Sequence, residues 1–324
     1  MTLELNSKLI SRVKKIIFDL GNLKENESLY IISDDSTKDL GLIFSKISSN
    51  IGLKYTHDSI LTSEINGTEP DQKISKKMLE HDLIIGITKF SLSHTNARYD
   101  AEKHGKRYLS LADFSLDVLM HKSLSTDYYK CSKNAEILSK KLSRANRLQI
   151  KTRAGTDIKF DISERTGNFA PGYVDEKIKM GSPPDIEANI APIENKSNGV
   201  VVVDGSIPYP KLGKLQEPIT LTIVNGYIES IQGKESVKNN LISLFNKYGK
   251  KSKILGEVGI GFNKKAHVIG NMLIDEGSFG TMHFGFGSNV ALGGNNKISF
   301  HVDFVFYSNE LYLDGQLINM NNQE

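Results

Sequence analysis

Hydrophobic and polar residues follow two different periods along the chain, and the period changes near residue 146. Before that point, apolar residues recur every three or four positions in segments 8–20 and 35–52, which predicts amphipathic helices. Short, continuous apolar runs at 27–33 and 82–88 are typical of buried strands. Because strands alternate with helices, we expect an α/β domain with a parallel sheet over residues 1–146.

After residue 146 the pattern alternates with a period of two. Segments 198–207, 219–233 and 297–318 contain short strands separated by Asn-Gly and Asp-Gly pairs, which favour tight hairpin turns. A single helical stretch interrupts them near 235–249. We therefore expect residues 147–324 to form a second domain of mainly antiparallel α+β structure.

The strand predicted for residues 298–306, ISFHVDFVF, has one apolar face and one face that carries a histidine and an aspartate. Successive side chains of a strand point to opposite faces. Val302 and Phe304 therefore lie on one face, and His301 and Asp303 lie together on the other. Buried polar groups need partners, so the imidazole and the carboxylate of this pair require hydrogen-bond partners, an opposite charge or a metal ion.

Two further strands repeat this arrangement. In MHFGFG, residues 282–287, His283 shares its face with two glycines, and in GEVGIGFN, residues 256–263, Glu257 also shares its face with two glycines. Glycine in a strand often marks close approach by a ligand or by another backbone. Further upstream, Glu187 lies in a segment flanked by prolines.

Each of these residues alone has an ordinary structural explanation. A lone histidine in a strand is usually hydrogen-bonded in the core or at the surface, Glu257 could flank a turn, Glu187 could belong to a loop, and Glu276 could be solvated. Together they favour a metal site, because neutral imidazole and carboxylate bind zinc, cobalt, manganese or iron(II). Three or four negative charges approach neutrality with two divalent ions, as in two-metal hydrolytic sites.

Composition limits the class of protein. The chain has 324 residues, of which 39% are hydrophobic and 24% charged, which suits two globular domains. A net charge of +3 does not indicate a nucleic-acid partner, and the single cysteine, Cys131, excludes an intramolecular disulfide. Neither a signal-peptide pattern nor an apolar run of membrane-spanning length is evident. We therefore expect a soluble cytoplasmic protein without a membrane partner.

Several segments resemble the M29 family of metal-dependent aminopeptidases, of the aminopeptidase T and aminopeptidase S type. The similar runs, in the order of that family, are TKFSLSHTNARYDAEKHGKRYLSL, AGTDIKFDI, EANIAPIENKSNGVVVVDGSI, GEVGIGFN, DEGSFGTMHFGFGSN and GGNNKISFHVDF. The resemblance implies two co-catalytic ions of zinc, cobalt or manganese. It assigns as their ligands Glu187, Glu257, His283, His301 and Asp303.

The resemblance also implies an activity and an assembly. It implies hydrolysis of N-terminal residues from small peptides by a metal-activated water, within a homodimer that encloses the active sites. Glu276 would then be an acid or base in catalysis or an outer carboxylate. However, Val290 stands where these aminopeptidases have a catalytic tyrosine seven residues after the histidine. Loss of one hydrogen-bond donor to an oxyanion costs about a hundredfold in turnover.

Two alternatives remain beside the aminopeptidase. Wider relatives of the family include dioxygenases that cleave dihydroxypyridine with a single iron(II), and the set His283, His301 and Asp303 would suit such an ion. The other alternative is a binding or structural protein, which the retained ligand set disfavours because buried carboxylates without a cation are costly. The metal count distinguishes these hypotheses.

Overall fold

A computed structural model describes residues 6–308 and 310–320. One π-helical turn, Lys15–Leu20, continues the first helix. The α-helices are α1 (Ser7–Lys14), α2 (Lys38–Asn50), α3 (Gln72–Glu80), α4 (Asn96–Lys103), α5 (Leu116–Met120), α6 (Tyr128–Leu142), α7 (Glu235–Tyr248) and α8 (Met272–Asp275).

Most of the remaining regular structure is β-strand. The strands are β1 (Ser28–Asp34), β2 (Lys54–Ile60), β3 (Leu83–Ile87), β4 (Arg107–Ser110), β5 (Arg147–Lys151), β6 (Asp157–Asp161), β7 (Asn168–Ala170), β8 (Met180–Gly181), β9 (Glu187–Ile190), β10 (Asn198–Val203), β11 (Ser206–Ile207), β12 (Gly213–Lys214), β13 (Ile219–Val224), β14 (Tyr227–Gln232), β15 (Leu255–Gly261), β16 (Thr281–Gly287), β17 (His301–Tyr307), β18 (Glu310–Leu313) and β19 (Gln316–Asn319). Short 3₁₀ turns complete the set at Lys122–Ser125, Lys250–Lys253 and Val290–Leu292.

The chain divides into two compact units, and the first is an α/β unit. It comprises Met1–Ser125 together with Pro171–Pro183. Its five-stranded sheet has the order β2-β1-β3-β4-β8, and every pair of neighbouring strands is parallel. Strands β1 and β3 are buried along their whole length. This explains their continuous apolar sequences, because helices cover both faces of such sheets.

The second unit, Thr126–Ala170 with Pro184–Glu324, contains two antiparallel sheets. The outer sheet has the order β14-β13-β10-β6-β5-β18-β19, and the inner sheet has the order β12-β11-β17-β16-β15-β9-β7. The rings of Phe160, from the outer sheet, and Phe284, from the inner sheet, lie 5.4 Å apart. Phe284 also packs against Phe306 at 4.7 Å. The apolar face of the inner sheet thus packs against the outer sheet. The opposite, polar face of the inner sheet does not take part in this packing.

The predicted fold class is confirmed: a parallel α/β part is followed by a mainly antiparallel α+β part. The division of the chain differs from a simple cut at residue 146, since α6 belongs to the second unit and residues 171–183 return to the first. This return ends in β8, a strand of two residues. A strand this short leaves no readable periodicity in the sequence.

Among the helices of the described residues, none has the length and apolarity that a membrane crossing requires.

Candidate metal centre

The polar face of the inner sheet brings all five predicted ligands together. In register, Glu257 of β15, Gly285 of β16 and Asp303 of β17 form one row across the sheet. In the adjacent rows, His283 lies opposite Gly259, and His301 lies opposite Gly287. A fourth strand, β9, pairs with β15 and places Glu187 opposite Gly261. We call Glu187, Glu257, His283, His301 and Asp303 the five-residue cluster.

The glycines on this face make room for the imidazole rings. A Cβ atom on Gly259 would overlap the ring of His283. A Cβ atom on Gly285 would lie 2.6 Å from Cε1 of His301 and 2.8 Å from Cβ of Glu257. The sequence predicted a close approach at these glycines by a ligand or a backbone. The structure shows that at Gly259 and Gly285 the approaching groups include the cluster's own side chains.

Glu257 stands between the two histidines. Its Oε2 lies 3.2 Å from Nε2 of His301, and its Oε1 lies 3.7 Å from Nε2 of His283. On the outer sides, Asp303 Oδ1 is 3.0 Å from Nε2 of His301, and Glu187 Oε2 is 3.2 Å from Nε2 of His283. The cluster is therefore two overlapping groups that share Glu257.

Each group can supply three ligand atoms that lie within 4.8 Å of one another. One group is Glu187, Glu257 and His283, and the other is Glu257, His301 and Asp303. Each contains one histidine and two carboxylates. The sequence instead grouped both histidines with Asp303 for a single ion. The register separates the two imidazoles, because His283 and His301 lie in different rows of neighbouring strands.

The two imidazoles differ in orientation and access. Nδ1 of His301 lies 2.9 Å from the carbonyl oxygen of Ser288, so Nδ1–H can donate there and leave Nε2 directed at the carboxylates. Nδ1 of His283 has no hydrogen-bond partner within the described part of the chain. The side chain of His301 is 32% exposed, whereas that of His283 is 2% exposed. His301 is thus the oriented and accessible histidine.

Neighbouring polar groups surround the cluster. Nδ2 of Asn189 donates to Oε1 of Glu187 at 2.7 Å, and this contact fixes one carboxylate oxygen. Asp185 and Glu276 each hold a buried oxygen without a hydrogen-bond partner among the described residues. The sequence-based interpretation missed Asp185 and Asn189, because β9 begins only at Glu187 and is buried along its whole length, so no alternation marks these residues.

Electrostatics in the cluster reflect an excess of buried carboxylates. Burial raises the pKa of Glu187 to about 7, although the nearby His283 opposes this shift. Burial, together with the charges of Asp303 and Glu187, raises the pKa of Glu276 well above its usual value. Burial would lower the pKa of His283, but Glu187 and Glu257 raise it to about 9.

The residues of this cluster fit a divalent cation. Oε2 of Glu187 is buried and makes no hydrogen bond within the described chain, and its charged neighbour is Nε2 of His283 at 3.2 Å. The cluster holds three carboxylates and two imidazoles, and a buried charge without full compensation is costly. The other donors are imidazole nitrogen and carboxylate oxygen, which suit zinc, manganese and iron(II). A hydrogen bond from Nδ1 of a ligating histidine to a carbonyl is also the usual outer contact of metal sites. The cluster therefore has the donor atoms and the spacing that a divalent cation requires.

The other predicted site residues lie close to these strands in sequence. Glu276 directly follows α8, and its carboxyl group interacts electrostatically with the carboxylates of the cluster. Val290 begins a 3₁₀ turn between β16 and β17 and is 48% exposed. Its side chain offers no donor at this position. The roles predicted for individual residues, including Glu276 as the catalytic acid or base, stay predictions.

Comparison with known proteins adds family information. The family model described as NicX, 2,5-dihydroxypyridine 5,6-dioxygenase, matches residues 14–322. The structure of 2,5-dihydroxypyridine dioxygenase from Pseudomonas putida KT2440 is similar, with a TM-score of 0.78, 20% identity, and coverage of 98% of this chain and 97% of that chain. The comparison with curated proteins gave no match.

A second similar structure is AmpT from Thermus thermophilus, an M29 aminopeptidase. It aligns with a TM-score of 0.67 and 14% identity, over 96% of this chain and 97% of that chain. The predicted resemblance to M29 enzymes therefore holds for the fold.

The predicted aminopeptidase activity, however, is wrong. The family model that covers almost the whole chain describes a dioxygenase, which is an oxidoreductase and not a hydrolase. The sequence could not make this distinction because imidazole and carboxylate ligands serve both zinc hydrolases and iron oxygenases. The replacement of the expected tyrosine by Val290 is consistent with the correction, since a valine cannot stabilise an oxyanion.

Proposed function

Since the chain belongs to the NicX family of 2,5-dihydroxypyridine 5,6-dioxygenases, we propose that it is a metal-dependent dioxygenase that opens a dihydroxylated aromatic ring. Its substrates are O₂ and a small ring of the dihydroxypyridine class. Both atoms of O₂ enter the product, and one bond of the ring breaks. The single observation that supports the site is the five-residue cluster on the polar face of the inner sheet.

We propose that one iron(II) is held by Glu257, His301 and Asp303. Their ligand atoms converge within 4.8 Å, and His301 has the outer hydrogen bond and the exposure that a reactive centre needs. When bound, iron(II) supplies the redox chemistry that brings O₂ and the ring together. Three protein ligands leave coordination positions open for substrates.

The protein's own residues provide orientation and charge. The carbonyl of Ser288 holds the Nδ1 proton of His301, which keeps Nε2 available as a ligand. Glu257 contacts both imidazoles through its two oxygens and so fixes their separation. Glu187 and His283 form the buried side of the cluster. Their assignment as ligands of a second ion stays a prediction that the metal count decides.

The proposal is tested with His301→Ala. The protein is purified without chelator under anaerobic conditions and loaded with iron(II). Metal per chain and O₂ consumption with 2,5-dihydroxypyridine are then measured. We expect His301→Ala to lose more than about a hundredfold of the activity, because even outer contacts of metal ligands contribute 10- to 100-fold.

The matched control is His104→Ala, which changes a histidine of the first unit that bonds only a local backbone carbonyl in α4. This variant should retain wild-type metal content and rate. Equal iron content and equal O₂ consumption in both variants would contradict the assignment of His301.

A further inference from the structure

The loop between β16 and β17, residues 288–300, carries the carbonyl that orients His301. Nδ1 of His301 lies 2.9 Å from O of Ser288. The same peptide unit continues into the N–H of Asn289, which donates to O of Asn296 at 3.2 Å. Because a peptide unit is planar, the position of the Asn289 N–H also fixes the direction of the Ser288 carbonyl.

A partly buried ion pair outside the cluster, between Arg165 and Glu194, holds this loop closed. Oε1 of Glu194 accepts from Nδ2 of Asn289 at 3.0 Å and from N of Asn295 at 2.6 Å. Glu194 therefore ties together the two sides of the loop. Its Oε2 pairs with Nη2 of Arg165 at 2.8 Å, and Nη1 of Arg165 donates to O of Gly293 at 2.6 Å.

The surroundings of this pair show that it is a fixed arrangement. The side chains of Arg165 and Glu194 are only 11% and 18% exposed. Although burial opposes ionisation, the N–H of Asn295 and the guanidinium of Arg165 hold the pKa of Glu194 below its usual value. A Cβ atom on Gly294 would overlap the side-chain amide of Asn289, so the loop closes tightly around that amide.

From these contacts we infer that Glu194, together with Arg165, is a positioning residue for the metal ligand His301. It acts through the closed loop, which presents the Ser288 carbonyl to Nδ1 and thereby directs Nε2 toward the metal. This inference rests on the proposed function for the identity of the metal and the reaction. The hydrogen bond at Nδ1 and the affinity for a divalent ion can be measured without either.

The test compares Glu194→Ala with Lys196→Ala. Lys196 lies two residues away, in the same loop between β9 and β10, and forms an exposed ion pair with Asp161 at 3.0 Å. Lys196→Ala therefore controls for the loss of a charged side chain from this loop. The first readout is the Nδ1–H signal of His301 in the NMR spectrum of metal-free protein, assigned by its loss in His301→Ala. The second readout is the Kd for zinc, measured by competition with a chelator.

We expect Glu194→Ala to make the His301 Nδ1–H exchange rapidly with water and to raise the Kd for zinc about tenfold, within the range for outer contacts of metal ligands. Lys196→Ala should leave both readouts within about twofold of wild type, as expected for an exposed pair. Glu194→Gln keeps an acceptor for Asn289 and should recover most of the affinity. If the alanine variant does not fold, Arg165→Ala is measured in its place, because it removes the other half of the same ion pair and should also raise the Kd for zinc.

The inference is overturned if Glu194→Ala, or Arg165→Ala in its place, leaves both readouts unchanged, or if wild-type His301 shows no protected Nδ1–H. Failure of the proposed function has a different result. In that case the wild-type protein binds metal and shows the protected proton, but it consumes no O₂ with dihydroxylated rings. The two failures are therefore distinguishable.

Discussion

At the scale of single residues, protons and metal compete for the same atoms. In the metal-free cluster, the neighbouring carboxylates raise the pKa of His283 to about 9 and that of His301 well above its usual value, although burial acts in the opposite direction. A metal ion bound at Nε2 requires the imidazole to give up its proton there. Metal binding should therefore release protons at neutral pH.

The sign of the resulting pH dependence is fixed. The pKa of His283 is about 9 and that of His301 is also raised, so both imidazoles hold a proton at neutral pH, and a fall in pH strengthens the competition of protons with the metal. We expect the affinity for zinc to fall about tenfold for each unit of pH for each proton that the metal displaces. Calorimetric titrations at several pH values between neutral and mildly acidic would measure this slope. An affinity independent of pH would show that the imidazoles are not ligands.

At the scale of elements, the register of three strands builds the centre. On the polar face, β15 places Glu257 beside two glycines, β16 places His283 beside two glycines, and β17 places His301 and Asp303. The rings of His283 and His301 occupy the space above Gly259 and Gly285. This arrangement positions the histidines before any metal binds, because the sheet itself fixes the rows.

This leads to a prediction for Gly285→Ala. The new Cβ would lie 2.6 Å from Cε1 of His301 and 2.8 Å from Cβ of Glu257, so both ligands must shift. We expect a loss of metal affinity of about tenfold or more, since displaced ligand geometry costs at least as much as a lost outer contact.

The control for Gly285→Ala is Gly205→Ala. Its Cβ would meet the backbone oxygen of Val305 at 2.6 Å, which overpacks the same sheet without touching a ligand. Both variants should lower the free energy of unfolding, by about 1–3 kcal/mol, but only Gly285→Ala should weaken zinc binding. Equal Kd values in the two variants would refute a specific role for this glycine.

The elements also show how far a sequence alone can lead. Alternation in residues 298–306 correctly placed His301 and Asp303 on one face, although the strand itself spans His301–Tyr307. Glu187, by contrast, had no readable strand pattern, because β9 has only four residues and all are buried. The sequence also could not predict that Glu257 is shared by two groups of ligands, because this depends on the register between strands that are distant in sequence.

At the scale of the whole molecule, one architecture serves more than one reaction. The chain shares its fold with a dioxygenase and, at lower similarity, with the aminopeptidase AmpT. Fold alone does not determine function, and ligand types shared by hydrolases and oxygenases led the sequence-based hypothesis to the wrong reaction. The family match over residues 14–322 resolved this ambiguity.

The most direct test of the dioxygenase proposal follows the oxygen atoms. Iron(II)-loaded protein would be mixed with 2,5-dihydroxypyridine under ¹⁸O₂, and the product would be analysed by mass spectrometry beside zinc-loaded protein. We expect a ring-opened product that carries two ¹⁸O atoms and forms only with iron(II). No ring opening with iron(II), while the loaded protein retains its metal, would contradict the proposed function.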